Sequence, residues 1–122
     1  MKLHLNQAAG RNAFSGYGEG YVLVNGVRYE TSLLVMPDER VSDWGVHDSA
    51  SMSPEQVTQL AKLDVEVLLI GTGVHLSFPP QKLLQPLAKA GIGVEIMDTP
   101  AACRTYNILM GEGRKVAAAI II

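Results

Sequence analysis

Cysteine occurs once in the 122 residues, at Cys103, so no intramolecular disulfide can form and a cysteine-based zinc site would lack its partners. That usage suits a reducing compartment. With no long apolar stretch behind Met1-Lys2-Leu3-His4, the expected location is the cytoplasm. Aromatic residues are scarce at 6%, which leaves Leu, Ile, Val and Ala to fill most of an interior. No run of Lys or Arg stands anywhere, and the net charge is −2. A nucleic-acid partner, which needs a basic stripe against phosphates, is therefore excluded, as is an electrostatic membrane anchor. The longest apolar stretch, 116–122, is far too short for a transmembrane segment and reads as a buried strand.

What is present is the material of one α/β domain spanning 1–122. Residues 7–20, rich in Gly, Ala, Asn and Ser, show no period and read as a loop with isolated aromatic anchors at Phe14 and Tyr17. Asn25-Gly26 between Tyr21-Val22-Leu23-Val24 and Val27-Arg28-Tyr29-Glu30-Thr31 predicts a hairpin, since this dipeptide supplies the positive φ angles of a type I′ turn. The second arm can run on to Val35, before Pro37, and a short strand is expected near Val41. A connector follows over 43–52, carrying the one tryptophan, Trp44, the residue best placed to be an exposed partner anchor or to cap one end of the core.

The second half reads as β-α-β-α-β. Ser53-Pro54-Glu55-Gln56 has the chemistry of a capped helix start: Ser53 as cap, Pro54 in the first turn, Gln56 closing a capping box. That helix should end near Leu63 or Asp64. The nearly continuous apolar run 65–70 predicts a strand covered on both faces, ended by Gly71-Thr72-Gly73. Residues 80–90 predict a helix with Leu83, Leu84, Leu87 and Ala88 inward, kinked at Pro86 and stopped by Gly91. A strand over 93–97, a helix opened by Asp98-Thr99-Pro100 and a strand over 115–122 complete the unit. Strand order, and the direction of the last strand, stay open.

In such sheets ligands bind beyond the carboxyl ends of the parallel strands. Gly71, Thr72 and Gly73 can cradle an anion with backbone N–H groups or form a tight turn. They are not a dinucleotide fingerprint, because Leu76 stands where the third glycine would fall, and no Gly-Lys-Ser/Thr follows, so no cofactor is expected. Asp98 and Thr99 can cap a helix or supply a carboxylate. Cys103, early in that helix beside Arg104, is either an activated thiol, with His75 as a distant base, or an inert buried one. Arg104, Asn107 and Glu112 fall off the apolar stripe and can form a polar patch. His4 and His47 have no neighbours at ligand spacing, so no metal site is expected.

From Leu69 on, the string Ile70-Gly71-Thr72-Gly73, Met97-Asp98-Thr99, Arg104-Thr105-Tyr106-Asn107 and Glu112-Gly113-Arg114 resembles one known family. It is the small domain shared by the mitochondrial NADH-dehydrogenase (complex I) assembly factor three and the adipogenesis-associated domain-containing protein, with bacterial single-domain members. Leu34-Val35-Met36-Pro37 and Trp44 fit the same pattern. The resemblance implies a three-layer α/β fold with a mixed central sheet, fed by the N-terminal hairpin and the β-α-β-α-β unit. It implies no established enzyme activity, and it draws Gly71, Gly73, Asp98, Thr99, Arg104, Thr105, Asn107 and Glu112 together as site residues.

Two functional readings follow. The favoured one is a non-catalytic interaction or assembly module with a protein partner. The other is a site for a small anionic molecule, with weak catalysis at most, between the Gly71–Gly73 loop and the Asp98–Cys103 helix start. Homodimerisation through a hairpin edge is a further option, because open edges pair with their twins.

Overall fold

The computed structural model describes residues 10–122, so His4 and the start of the 7–20 loop lie outside the described residues. Three antiparallel strands come first: β1 (Phe14–Gly18), β2 (Tyr21–Val24) and β3 (Val27–Tyr29), forming their own sheet in the order β1-β2-β3. The β2–β3 turn is the expected one, with Asn25 at φ 49° and Gly26 at φ 81°. Two expectations need correction here. Residues 14–18 are a strand, not loop, and Phe14 is fully buried. The second hairpin arm stops at Tyr29. Leu33–Val35 is a separate strand, β4, in a different sheet.

The larger sheet has the order β5-β4-β8-β6-β7, with β5 at Ser42–Asp43, β6 at Val67–Thr72, β7 at Gly93–Met97 and β8 at Val116–Ile121. β8 runs parallel to β6, as β7 does, while β4 lies antiparallel to β8, which makes the sheet mixed. Side chains alternate across it. Leu68, Ile70, Ala117, Ala119 and Ile121 face one core, and Leu69, Val116, Ala118 and Ile120 face the other.

The first core is covered by α1 (Pro54–Ala61) and α2 (Gln85–Lys89). Helix α1 begins with the expected capping box: Gln56 N–H donates to the Ser53 hydroxyl at 3.2 Å, and Ser53 N–H to the Gln56 side chain at 2.8 Å. It ends at Ala61, somewhat short of expectation. The expected kink at Pro86 does not arise. The segment breaks into a 3-10 turn, Gln81–Leu84, and then α2, which places Pro86 in a first turn where its missing N–H costs no helical bond. Ala88, expected inward, is exposed.

The second core lies under α3 (Thr99–Gly111), which buries Ala102, Cys103, Tyr106 and Met110. The three-stranded sheet packs beside α3 and completes this layer. Phe14 meets Tyr106 edge-on at 5.2 Å between ring centroids, and the Tyr106 hydroxyl donates to Asn12 O at 2.9 Å. The result is three layers: α1 and α2, the mixed sheet, then α3 with the small sheet.

Candidate functional site

Because β6 and β7 are adjacent and parallel, the turns that leave their carboxyl ends emerge side by side. They are locked together. Thr99 N–H donates to Gly73 O at 2.8 Å, Gly73 N–H donates to the Thr99 hydroxyl at 2.9 Å, and that hydroxyl donates to Ile121 O. The structure thus joins the Gly71–Gly73 segment, the Asp98–Thr99 cap and the end of β8 on one rim. Gly71 and Thr72 differ from expectation, since both belong to β6 and only Gly73, at φ 93°, turns the chain. Gly71 serves close packing: a Cβ there would lie 2.9 Å from Ile120 Cδ1, 3.0 Å from Thr99 Oγ1 and 3.1 Å from Ala102 Cβ.

Donors at the rim are largely spent. The Asp98 carboxylate accepts from Ala101 N–H at 2.9 Å and places its own negative charge at the start of α3, where an anion would otherwise sit. Arg104 donates to the Tyr17 hydroxyl at 2.7 Å, and the ion pairs among the described residues do not include one with Asp98. A hollow of only about 40 Å³ remains between Tyr17, Tyr21, Gly73, Thr99, Pro100 and Ile122.

The other sequence candidates disperse. Asn107 is not part of an exposed patch: it accepts from Phe14 N–H at 2.9 Å and donates to Phe14 O at 2.8 Å, closing the edge of β1 as a neighbouring strand would. Thr105 is half-buried, and Glu112 is exposed at the far end of α3, roughly 20 Å from Asp98 at 1.5 Å per helical residue. Trp44, expected either as an exposed partner anchor or as a cap on one end of the core, is buried at 9% exposure on the opposite face of the sheet, packed with Leu34, Gln56 and Leu60. At the other end of the sheet a hollow of about 290 Å³ is lined by charges that largely cancel in pairs, among them Arg11–Asp38 at 3.8 Å and Lys115–Asp64 at 3.4 Å.

Cys103 is fully buried, and burial pushes its thiol up to about 12 against the pull of Arg104, so the inert reading applies. The unfolded thiol, near 9.0, ionises first. Its contribution to stability is therefore complete below pH 9 and is lost as pH rises from there toward 12, by about 1.4 kcal/mol per unit. Alkylation of native Cys103 by iodoacetamide at pH 8 is expected to be at least a hundredfold slower than in urea-unfolded chain. Comparable rates in the two states would overturn this.

The sequence predicts a loop from Gly73 through Phe78-Pro79, as found, but not the apolar surface that this loop presents. Val74, Leu76 and Phe78 are 73%, 53% and 70% exposed, a run of apolar surface on the rim itself. The loop is held in shape: the Thr72 hydroxyl donates to His75 O at 2.7 Å and accepts from Ser77 N–H at 3.1 Å, and Ser77 and Ser49 share a hydroxyl bond of 2.6 Å. The signal was there, in apolar residues at alternate positions between Gly73 and Pro79-Pro80, too short and too closely bounded to be a strand of either sheet.

This is a small three-layer α/β domain with an apolar rim loop, of the kind described in Bordetella pertussis as a Mth938-like domain. That solution structure matches at a TM-score of 0.79 and 37% identity, over 99% of this chain and 92% of that one. The chain belongs to the family described as Protein of unknown function (DUF498/DUF598), whose model matches residues 14–121. The human protein NADH dehydrogenase (ubiquinone) 1 alpha subcomplex assembly factor 3 is 30% identical over 99% of this chain and 66% of its own length. The 13 kDa major membrane protein of Francisella tularensis is 30% identical over 88% of this chain and 89% of its own. The chain spans about half to two thirds of the length of the assembly factors it matches. No helix among the described residues is long and apolar enough to cross a membrane.

Proposed function

We propose that the chain is a non-catalytic interaction module that assists assembly of a respiratory NADH dehydrogenase, docking a hydrophobic subunit of that complex on its rim loop. The observation that carries the reading is the exposure of Val74, Leu76 and Phe78 on a loop whose backbone is pinned by Thr72 and Ser77. Large apolar side chains on a fixed backbone favour a partner, because burying the exposed part of each gains about 1–2 kcal/mol and little backbone entropy is lost on docking. The relatives named as assembly factors supply the kind of partner. The tightly capped start of α3 and the smallness of the neighbouring hollow count against the anion reading.

The test is deletion of the gene in its native cell, with assembled NADH dehydrogenase read on blue-native gels. Deletion should deplete the full-size complex severalfold, and the wild-type gene should restore it. A Leu76→Asp/Phe78→Asp variant should fold with a melting temperature within about 3 °C of wild type, since surface changes cost little, and should fail to restore the complex. A normal amount of complex in the deleted cell sinks the function. Full rescue by the double variant sinks the loop as its surface.

A further inference from the structure

Strand β7 ends the larger sheet, and no described strand pairs with its outer edge. Gly93 N–H donates to Glu66 O at 2.9 Å. The alternation of a parallel ladder then turns the backbone groups of Gly93, Glu95 and Met97 toward β6, and those of Val94 and Ile96 outward. Beside this edge, on the α2 side, runs an open groove of about 540 Å³ floored by Leu84, Ala88, Ile92 and Val94 with Lys82 and Gln85 at its margin. On the other face stands Glu95, exposed and in no ion pair among the described residues.

We propose that β7 is a strand-addition site for an extended protein segment that alternates apolar with basic residues. Such a segment bonds to the outward N–H and C=O groups of Val94 and Ile96. Its apolar residues fall over the groove, and the residue between them lies across from Glu95, where a lysine or arginine completes a cross-strand pair. The same carboxylate argues against a second copy of this chain. The antiparallel register that sets Val94 of each copy against Ile96 of the other brings the two Glu95 side chains directly opposite, at the closer kind of pair, where like charges repel. Glu95 therefore protects the edge from its twin and selects a basic partner. This site stands apart from the 74–78 loop and does not depend on what that loop docks.

The probe is a capped nine-residue peptide of alternating valine and lysine, titrated into the isotope-labelled chain and followed by NMR. It should shift the amides of Val94 and Ile96 and slow their hydrogen exchange at least tenfold. The matched peptide with glutamate in place of lysine should bind about fivefold or more weakly. In the Glu95→Lys variant, which changes only an exposed side chain, the preference should reverse. Binding that leaves those two amides unchanged, a preference unaltered in Glu95→Lys, or no binding of the lysine peptide at millimolar concentration would each overturn the proposal. So would self-association of the wild-type chain protecting the same amides.

Discussion

Asn107→Leu is expected to destabilise the chain by about 2–5 kcal/mol and to loosen the three-stranded sheet before the rest of the molecule. The leucine fills similar space but strips the Phe14 N–H and C=O of their partners, which stand at 2.9 and 2.8 Å from the amide. Each unpaired group that stays shielded from water costs about 1–3 kcal/mol. Phe14 is fully buried, so its backbone has little water to turn to. At roughly 4 °C per kcal/mol for a chain of this size, the melting temperature should fall by about 8–20 °C. Hydrogen exchange should localise the damage: amides of β2 lose protection while those of β6 keep it. A loss under 1 kcal/mol, or a uniform loss of protection, would show that the asparagine is not the clasp.

Gly71→Val should be at least as damaging, for the opposite reason. Here the fault is crowding. An alanine Cβ already comes to 2.9–3.1 Å from three side-chain atoms. Ile120 Cδ1 is the end of a flexible chain and can swing away. Thr99 Oγ1 is fixed by its bonds to Gly73 and Ile121, and Ala102 Cβ is fixed to α3. Gly71→Ala should therefore cost about 1–3 kcal/mol, and valine, with two further methyl groups in the same space, should push α3 off β6 or prevent folding. Pairing Gly71→Ala with Ile120→Val should recover only part of the alanine cost, because it relieves one contact of the three. Denaturant melts of the two single variants and the double would check this. Full recovery would mean that Thr99 and Ala102 yield more readily than their bonds suggest.

These two residues also show what the sequence makes legible. The Asn25-Gly26 turn, the Ser53–Gln56 capping box and the Asp98 cap depend on neighbours a few positions away, and each is where the residues foretell it. The nearness of Gly73 and Thr99 depends on β6 and β7 being neighbours, which the sequence leaves open and the sheet order supplies. Strand β1 is not legible either. Phe-Ser-Gly-Tyr-Gly carries two glycines and little strand propensity, and it is held by Asn107 and Tyr106 from the far end of the chain. Gly71 reads in sequence as an anion cradle or a tight turn and not as a strand residue, since glycine signals freedom and close approach alike, and only packing separates the two. Trp44 follows the same rule: its surroundings, Leu34 and α1, are assembled from separate stretches.

The strand that arrives last in the described chain lies at the centre of the larger sheet, with Leu33 to Val35 on one side and Val67 to Thr72 on the other. While a ribosome is still making Val116–Ile121, β4 and β6 have no common partner, and both cores lie open to the cell. The join between β4 and β6 waits for those six residues, so until they arrive the apolar faces that β8 covers stay open to water. Truncation anywhere before Val116 would leave two unsupported halves rather than a smaller version of the fold.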